Sequence, residues 1–229
     1  MDTLDKEYFL EFAISSFCQA KCPACNRTDV ATGETVSWLK PEHFSIDAYK
    51  RMMGVDYWKH KKINKIKFCG ENGDPMMHPH IQDFIDHSFL VGTSSLTIAT
   101  NGGLRNPAWY TAMGERYGKK LEIIFGIDGA TGDVNNMYRI GVDSERAYKN
   151  MFAFHEAGGF ATWQFILFSF NYHQLPELYE TCLKYGIPPA IIWNNGKHGL
   201  IDDEMKHQVY AEYGDTIDAL HELQGKLQP

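Results

Sequence analysis

Six short apolar runs, each followed by a segment of helical pattern, constrain this 229-residue chain more than any other feature. Glu7 to Ser15, Ile63 to Cys69, Leu96 to Thr100, Leu121 to Ile127, Ala161 to Phe170 and Ala190 to Trp193 read as strands. The helix signals between them are local. Ser45 is placed to cap a helix from Ile46 to about Lys59, and Gly92 to stop one running from Ile81 to Val91. Asn106 and Pro107 form an N-cap and first turn for a helix ending near Gly118. Ser144 is a cap for a helix to Ala157, closed by Gly158 and Gly159, and Leu175 to Tyr185 reads as the next. Asp202 to Gln224 reads as one or two polar helices. Strand-then-helix units in series imply an α/β fold with a parallel sheet and right-handed crossovers. The sheet is either open and doubly wound or curved into a partial barrel. Either way, ligands sit at the carboxyl ends of the strands. No repeat or Pro-rich linker divides the chain. The expected organisation is a core domain over 1–200 and a helical C-terminal tail over 201–229 packed on it.

Composition narrows the class. With 44% apolar and 22% charged residues this is an ordinary globular chain. A net charge of −7 argues against a general nucleic-acid-binding surface. No apolar run approaches membrane-spanning length, and Met1 to Lys6 lacks the basic-then-apolar order of a signal peptide. The expected location is therefore cytoplasmic. Thiols stay reduced there, which favours metal or catalytic cysteines over disulfides.

Three of the five cysteines fall within eight residues: Cys18, Cys22 and Cys25, spaced C-x3-C-x2-C. They follow the first strand directly. Three thiolates on one loop can hold three corners of a cubane iron–sulfur cluster, leaving the fourth iron to a non-protein ligand. Two other chemistries are open. The pair in Cys22-Pro23-Ala24-Cys25 can act as a redox dithiol. The three cysteines with distant Cys69 can close a zinc site in a non-catalytic binding protein. Neither explains a third cysteine four residues ahead of the pair.

The other strand-end loops carry unusual residues too. Gly70-Glu71-Asn72-Gly73-Asp74-Pro75 follows the second strand, then Met76-Met77-His78-Pro79. Its glycines allow close backbone approach, and its acidic groups and carbonyls can accept from an ammonium group. Thr100-Asn101-Gly102-Gly103 follows the third strand and Asp128-Gly129-Ala130-Thr131 the fourth. Tyr138-Arg139 comes soon after, where a guanidinium can grip a carboxylate through paired hydrogen bonds.

In this order the motifs resemble the radical S-adenosylmethionine (radical SAM) superfamily, in particular its SPASM- and twitch-related branch. They are Cys18-x3-Cys22-Pro-x-Cys25-x-Arg27, Phe68-x-Gly70-x2-Gly73-Asp74-Pro75 with His78-Pro79, Thr100-Asn101-Gly102, Ile127-Asp128-Gly129 and Tyr138-Arg139. The resemblance covers about Phe9 to Asn194. It implies a (βα)6 partial TIM barrel. Cys18, Cys22 and Cys25 would ligate a [4Fe–4S] cluster that binds S-adenosylmethionine and cleaves it reductively. The resulting 5′-deoxyadenosyl radical would abstract hydrogen from a substrate that the sequence leaves open, a small molecule or a peptide. Gly70, Gly73, Asp74 and Pro75 would serve the methionine amino group and Arg139 its carboxylate. Asn101, Asp128, Gln164 and Ile166 would complete the cofactor pocket, with Asn171 to His173 and Trp193 to Asn195 lining the cavity. Reduced flavodoxin or ferredoxin would supply the electron.

Departures from the family pattern carry expectations of their own. Ala24 stands where relatives often place an aromatic residue, and Gly126 where many have serine. Asp74 replaces the commoner glutamate, with one extra residue before it. No cysteine-rich C-terminal extension is present, so a single cluster is expected, with Cys182 a buried apolar residue and Cys69 packed in the core. His78 and His80 read as turn or helix-start residues. For His173 a substrate contact is open. His60, within Lys59-His60-Lys61-Lys62, reads as part of a solvated basic face, or as a dock for an acidic electron donor.

Overall fold

A computed structural model describes residues 6–194 and 198–228. Asn195, expected to line the cavity, and Pro229 at the end of the tail lie outside the described residues. The strands are β1 (Glu7–Phe12), β2 (Lys62–Phe68), β3 (Ser95–Thr100), β4 (Leu121–Gly126), β5 (Phe160–Leu167) and β6 (Pro189–Trp193). The helices are α1 (Ile46–Met52), α2 (Val55–Trp58), α3 (Ile81–Leu90), α4 (Pro107–Tyr117), α5 (Gly132–Tyr138), α6 (Ser144–Glu156), α7 (Leu175–Tyr185) and α8 (Asp203–Leu227). Every strand pairs in parallel with its sequence neighbours, in the order β1-β2-β3-β4-β5-β6.

That order decides between the two architectures. Each crossover moves one strand in the same direction. Right-handed connections then place all the helices on one face, and the sheet curves into a partial barrel rather than reversing at a switch point. Alternation along the strands agrees. Phe12 and Phe68 point toward the helices and meet Tyr49 of α1 and Phe84 of α3, with ring centroids 4.8–6.5 Å apart. Phe125 does the same with Tyr110 of α4 and Phe154 of α6. Fully burying one such ring contributes roughly 1.5–3 kcal/mol. Tyr49 keeps its hydroxyl satisfied by Ser88 Oγ at 2.7 Å.

Among the described residues the other face has no helices and is polar. Lys67 pairs with Glu11 across β2 and β1, and Glu122 takes Lys65, Thr97 and Thr162 across β2 to β5. The tail is a single helix, α8, whose first turn is capped by Asp202 accepting from the Met205 amide at 2.8 Å. It packs beside α7 and β6, with Tyr210 stacked on Trp193 at 5.3 Å, and so extends the helical layer rather than covering the open face. Among the described residues no helix is long and apolar enough to cross a membrane.

Several boundaries differ from the sequence reading, each for a local reason. The helix expected from Ile46 to Lys59 breaks at Met53–Gly54 into α1 and α2. Strand β1 ends at Phe12 because Ile14 and Ser15 leave β2 to pair with residues 43–44. Strand β5 ends at Leu167 because Asn171 closes a turn, accepting from the Phe168 amide at 2.7 Å. Asp143, not Ser144, caps α6; its carboxylate accepts from the Arg146 amide at 3.0 Å, while Ser144 Oγ serves Asn135 and Asn136.

Candidate active site

The cysteine loop leaves β1 and folds back through two tight turns. The Cys25 amide donates to Cys22 O at 3.1 Å and the Thr28 amide to Cys25 O at 2.9 Å. The Lys21 amide donates to Ile140 O at 2.8 Å, pinning the loop to the chain after α5. All three thiols are free; Cys22 is buried, Cys18 and Cys25 half-buried. They line one cavity of about 280 Å³ at the carboxyl ends of the strands. The Ala20 amide approaches Cys18 Sγ at 3.4 Å, and Gln19 Nε2 donates to Asn101 Oδ1 at 2.7 Å, tying the loop to the end of β3.

The loop after β2 forms the next wall. Asp74 caps a short 3-10 turn, Pro75–Met77, and its buried carboxylate is fully engaged. It accepts from Met76 N, Thr100 Oγ1 and Asn101 N, each at 2.9 Å. Burial pushes its carboxyl above the ordinary carboxylate range, and these donors pull against that shift. Asp74 thus joins the ends of β2 and β3 while one side of it faces the cavity.

Opposite stands an ion pair. Arg139 Nε donates to Asp128 Oδ2 at 2.6 Å, with Asp128 fully buried and Arg139 17% exposed in its side chain. Asp128 Oδ1 accepts from the Ile166 amide at 2.8 Å. Burial pushes Asp128 up and Arg139 draws it back. Asn135 and Asn171 hold the turn around Asp128, the first accepting from its amide and the second donating to its carbonyl. The guanidinium reaches across Gly126, where an added β-carbon would lie 2.8 Å from Nη2.

The remaining cation is Arg27. It lines the same cavity, is 7% exposed, and its Nε is buried with no hydrogen-bond partner among the described residues.

Cys18, Cys22, Cys25, Gly70, Gly73, Asp74, Asn101, Arg139, Gln164 and Ile166 all border this cavity. Pro75 does not; it is buried as the first residue of the short turn. Asp128 lies behind Arg139 rather than on the surface of the cavity. Asn171 is buried under the Asp128 turn, His173 is exposed, and Trp193 faces α8, so that part of the expected lining is not there. Ala99, Thr100 and Gly126 border the cavity without having been singled out as ligands. Arg27 had a sequence signal, its place two residues past Cys25, but no assigned role. His78 is structural. Its Nε2 lies 2.9 Å from Phe44 O and its Nδ1 accepts from the His80 amide at 3.0 Å. Cys182 is fully buried on α7. Cys69 points its sulfur to Phe12 O at 3.7 Å, away from the cavity. The basic stretch Lys59 to Lys62 sits at the amino end of β2, about 20 Å along the strand from the cysteine end.

Burial bears on the chemistry open to Cys18 and Cys22. An attacking thiol needs a lowered pKa. Here burial pushes Cys18 up to about 12, with Asp74 adding to it, and burial raises Cys22 as well. Among the described residues no three His, Cys, Asp or Glu side chains converge on a single-ion site. A zinc ion would need its thiolates about 2.3 Å from one centre. A cubane instead gives each thiolate its own iron, so its three cysteines stand apart around it.

No protein-family model matches the sequence, and no curated protein matches it either. Solved structures do. Native anSMEcpe with bound AdoMet superposes with a TM-score of 0.68 at 15% identity, over 93% of this chain and 62% of that one. Methylornithine synthase (PylB) gives 0.57 at 10% identity, over 96% and 68%. The FeFe-hydrogenase maturase HydG from Carboxydothermus hydrogenoformans gives 0.60 at 10% identity, over 97% and 52%. These are radical SAM enzymes, and the chain has their fold. It spans less than two thirds of the length of anSMEcpe.

Proposed function

We propose that this chain is a radical SAM enzyme in which Cys18, Cys22 and Cys25 hold a [4Fe–4S] cluster. One observation carries the reading: three free thiols share a single cavity with glycine-backed strand ends and with Arg27, whose buried Nε has no hydrogen-bond partner among the described residues. That donor set fits an anionic cluster with an open iron. The AdoMet bound in anSMEcpe supports the same reading. When bound, the cluster supplies the electron that breaks the C5′–S bond of S-adenosylmethionine, releasing a 5′-deoxyadenosyl radical for hydrogen abstraction.

The chain's own residues bind and orient. The loop Gly70 to Pro75 brings carbonyl oxygens to the cavity edge for the methionine ammonium; Gly70 and Gly73 let it fold tightly, against Gly73 O and Ser15 O respectively. Arg139 has its Nε committed to Asp128 and offers its outer nitrogens to the methionine carboxylate. Asn101, Gln164 and Ile166 form the wall for ribose and adenine. The substrate, a small molecule or a peptide, enters from the open polar face carrying Lys65, Lys67 and Glu122. A reduced flavodoxin or ferredoxin delivers the electron near the cysteine loop rather than at the distant Lys59 to Lys62.

The test is anaerobic. The protein is reconstituted with iron and sulfide, reduced with dithionite and given S-adenosylmethionine, and 5′-deoxyadenosine is measured by mass spectrometry. Product that disappears in Cys18→Ala is the expected result. Product undiminished in Cys18→Ala, or no iron uptake by the wild type, would overturn the reading.

A further inference from the structure

We propose that Arg27 is a positioning residue for the cluster itself: its guanidinium donates to a cluster or cysteinyl sulfur and raises the reduction potential. The inference rests on the cluster reading above.

A buried cation without a partner is costly, and native structures normally pair it. Arg27 is 7% exposed, and its Nε is buried without a hydrogen-bond partner among the described residues. The other charged side chains bordering the cavity have hydrogen-bond partners of their own. Arg139 is held by Asp128, and the Asp74 carboxylate takes donors from Met76, Thr100 and Asn101. Arg27 alone is left, and it borders the space that Cys18, Cys22 and Cys25 border. What completes it is therefore an anion in that cavity.

Two anions are candidates: the cluster and the carboxylate of S-adenosylmethionine. Position favours the cluster. Arg27 belongs to the cysteine loop, two residues past Cys25, and its main chain is fixed there by the Val36 amide donating to Arg27 O at 2.8 Å. Arg139, from another element, also lies against the Cys22 thiol, but its Nε is already committed to Asp128. A cubane bound by three thiolates is anionic and gains one more negative charge on reduction. A guanidinium beside it therefore stabilises the reduced state more than the oxidised one. Hydrogen bonds to cluster sulfurs and local charge are recognised levers on such potentials. The step is a one-electron gain by the cluster from its reductant. No bond forms or breaks, and Arg27 keeps its protons.

The experiment compares wild type, Arg27→Gln and Arg27→Lys after anaerobic reconstitution. Midpoint potentials are read by electron paramagnetic resonance during a redox titration, with iron content measured in parallel. Arg27→Gln is expected to keep its iron and to disfavour reduction about tenfold, a lowering of about 59 mV for one electron. Arg27→Lys, which keeps the charge, is expected to stay nearer the wild type. In the apoprotein, Arg27→Gln should unfold at the wild-type temperature or above, since it removes a buried donor that has no partner among the described residues. An unchanged potential in Arg27→Gln would overturn the proposal while leaving the cluster reading intact. So would weakened S-adenosylmethionine binding at unchanged potential, which would assign Arg27 to the methionine carboxylate. A lower apoprotein melting temperature would make Arg27 a structural residue. Wild-type protein that takes up no iron would remove the cluster reading, and this one with it.

Discussion

Gly73 lies so close to Ser15 that a β-carbon added to it would stand 2.2 Å from the Ser15 carbonyl oxygen and 2.8 Å from that of Phe17. The Asp74 amide donates to the same Phe17 oxygen at 2.8 Å. The glycine loop after β2 therefore sets the path of the chain as it enters Cys18. The contacts are to backbone, so no rotamer change can relieve a larger residue. Gly73→Ala should destabilise the fold by roughly 1–3 kcal/mol, as overpacking does. It should also lower iron retention, because the displaced segment carries the first cysteine. Urea unfolding and iron analysis check both. Wild-type stability together with full iron would show that the loop yields.

The Asp128–Arg139 pair yields a second prediction. Removing one partner of a buried pair strands the other, at a cost of roughly 3–5 kcal/mol. Arg139→Met leaves the Asp128 carboxylate with only the Ile166 amide and should show that loss in denaturant unfolding. The double variant Asp128→Asn/Arg139→Met should cost less than the sum of the singles. Strict additivity would show that the two side chains do not depend on each other.

Much of this architecture was legible because its signals are local. Asn106 and Pro107, Gly92 and Ser45 mark helix ends, and the cysteine spacing and strand-end glycines mark the site. What was hidden depends on partners far away in sequence, or on choices between equals. Helix α5 escaped notice because Gly132 to Tyr138 has no apolar period; Asn135, fully buried, holds it through Asp128 and Ser144. Asp143 and Ser144 are both good caps, and only the demand of Asn135 and Asn136 on Ser144 decides between them. Gly126 stands where many relatives of the resembled family have serine. In the fold it is the gap through which Arg139 reaches the cavity. The isolation of Arg27 is an absence of partners, which no pattern of residues displays.

His78 makes stability depend on pH. Its Nε2 must donate to Phe44 O while its Nδ1 accepts from the His80 amide, so the folded ring is held neutral. Burial, the largest cause, lowers its pKa below the ordinary 6.5. The unfolded chain therefore takes up this proton at a higher pH than the folded one. Stability is full above about pH 6.5 and falls as pH drops through the folded value. His78→Gln keeps one donor and one acceptor but does not titrate. Its stability should fall less than that of the wild type between pH 7 and pH 5, read by urea unfolding. Parallel profiles would sink the assignment.

The thiols, whose pKa values shift upward rather than downward, supply the last prediction. Burial and Asp74 push Cys18 up to about 12, and burial raises Cys22, so both carry protons at neutral pH before anything binds. A metal or cluster takes thiolates, so loading must expel those protons. Each expelled proton makes loading about tenfold stronger per unit rise in pH. With at least Cys18 and Cys22 contributing, iron retained after anaerobic reconstitution under limiting iron should rise steeply from pH 6 to pH 8. Neither Cys69 nor Cys182 borders the cavity, so Cys69→Ala and Cys182→Ala should follow the wild-type curve. Cys22→Ala should lose both the iron and its pH dependence. Uptake that is flat with pH in the wild type would mean that the thiols are not the ligands.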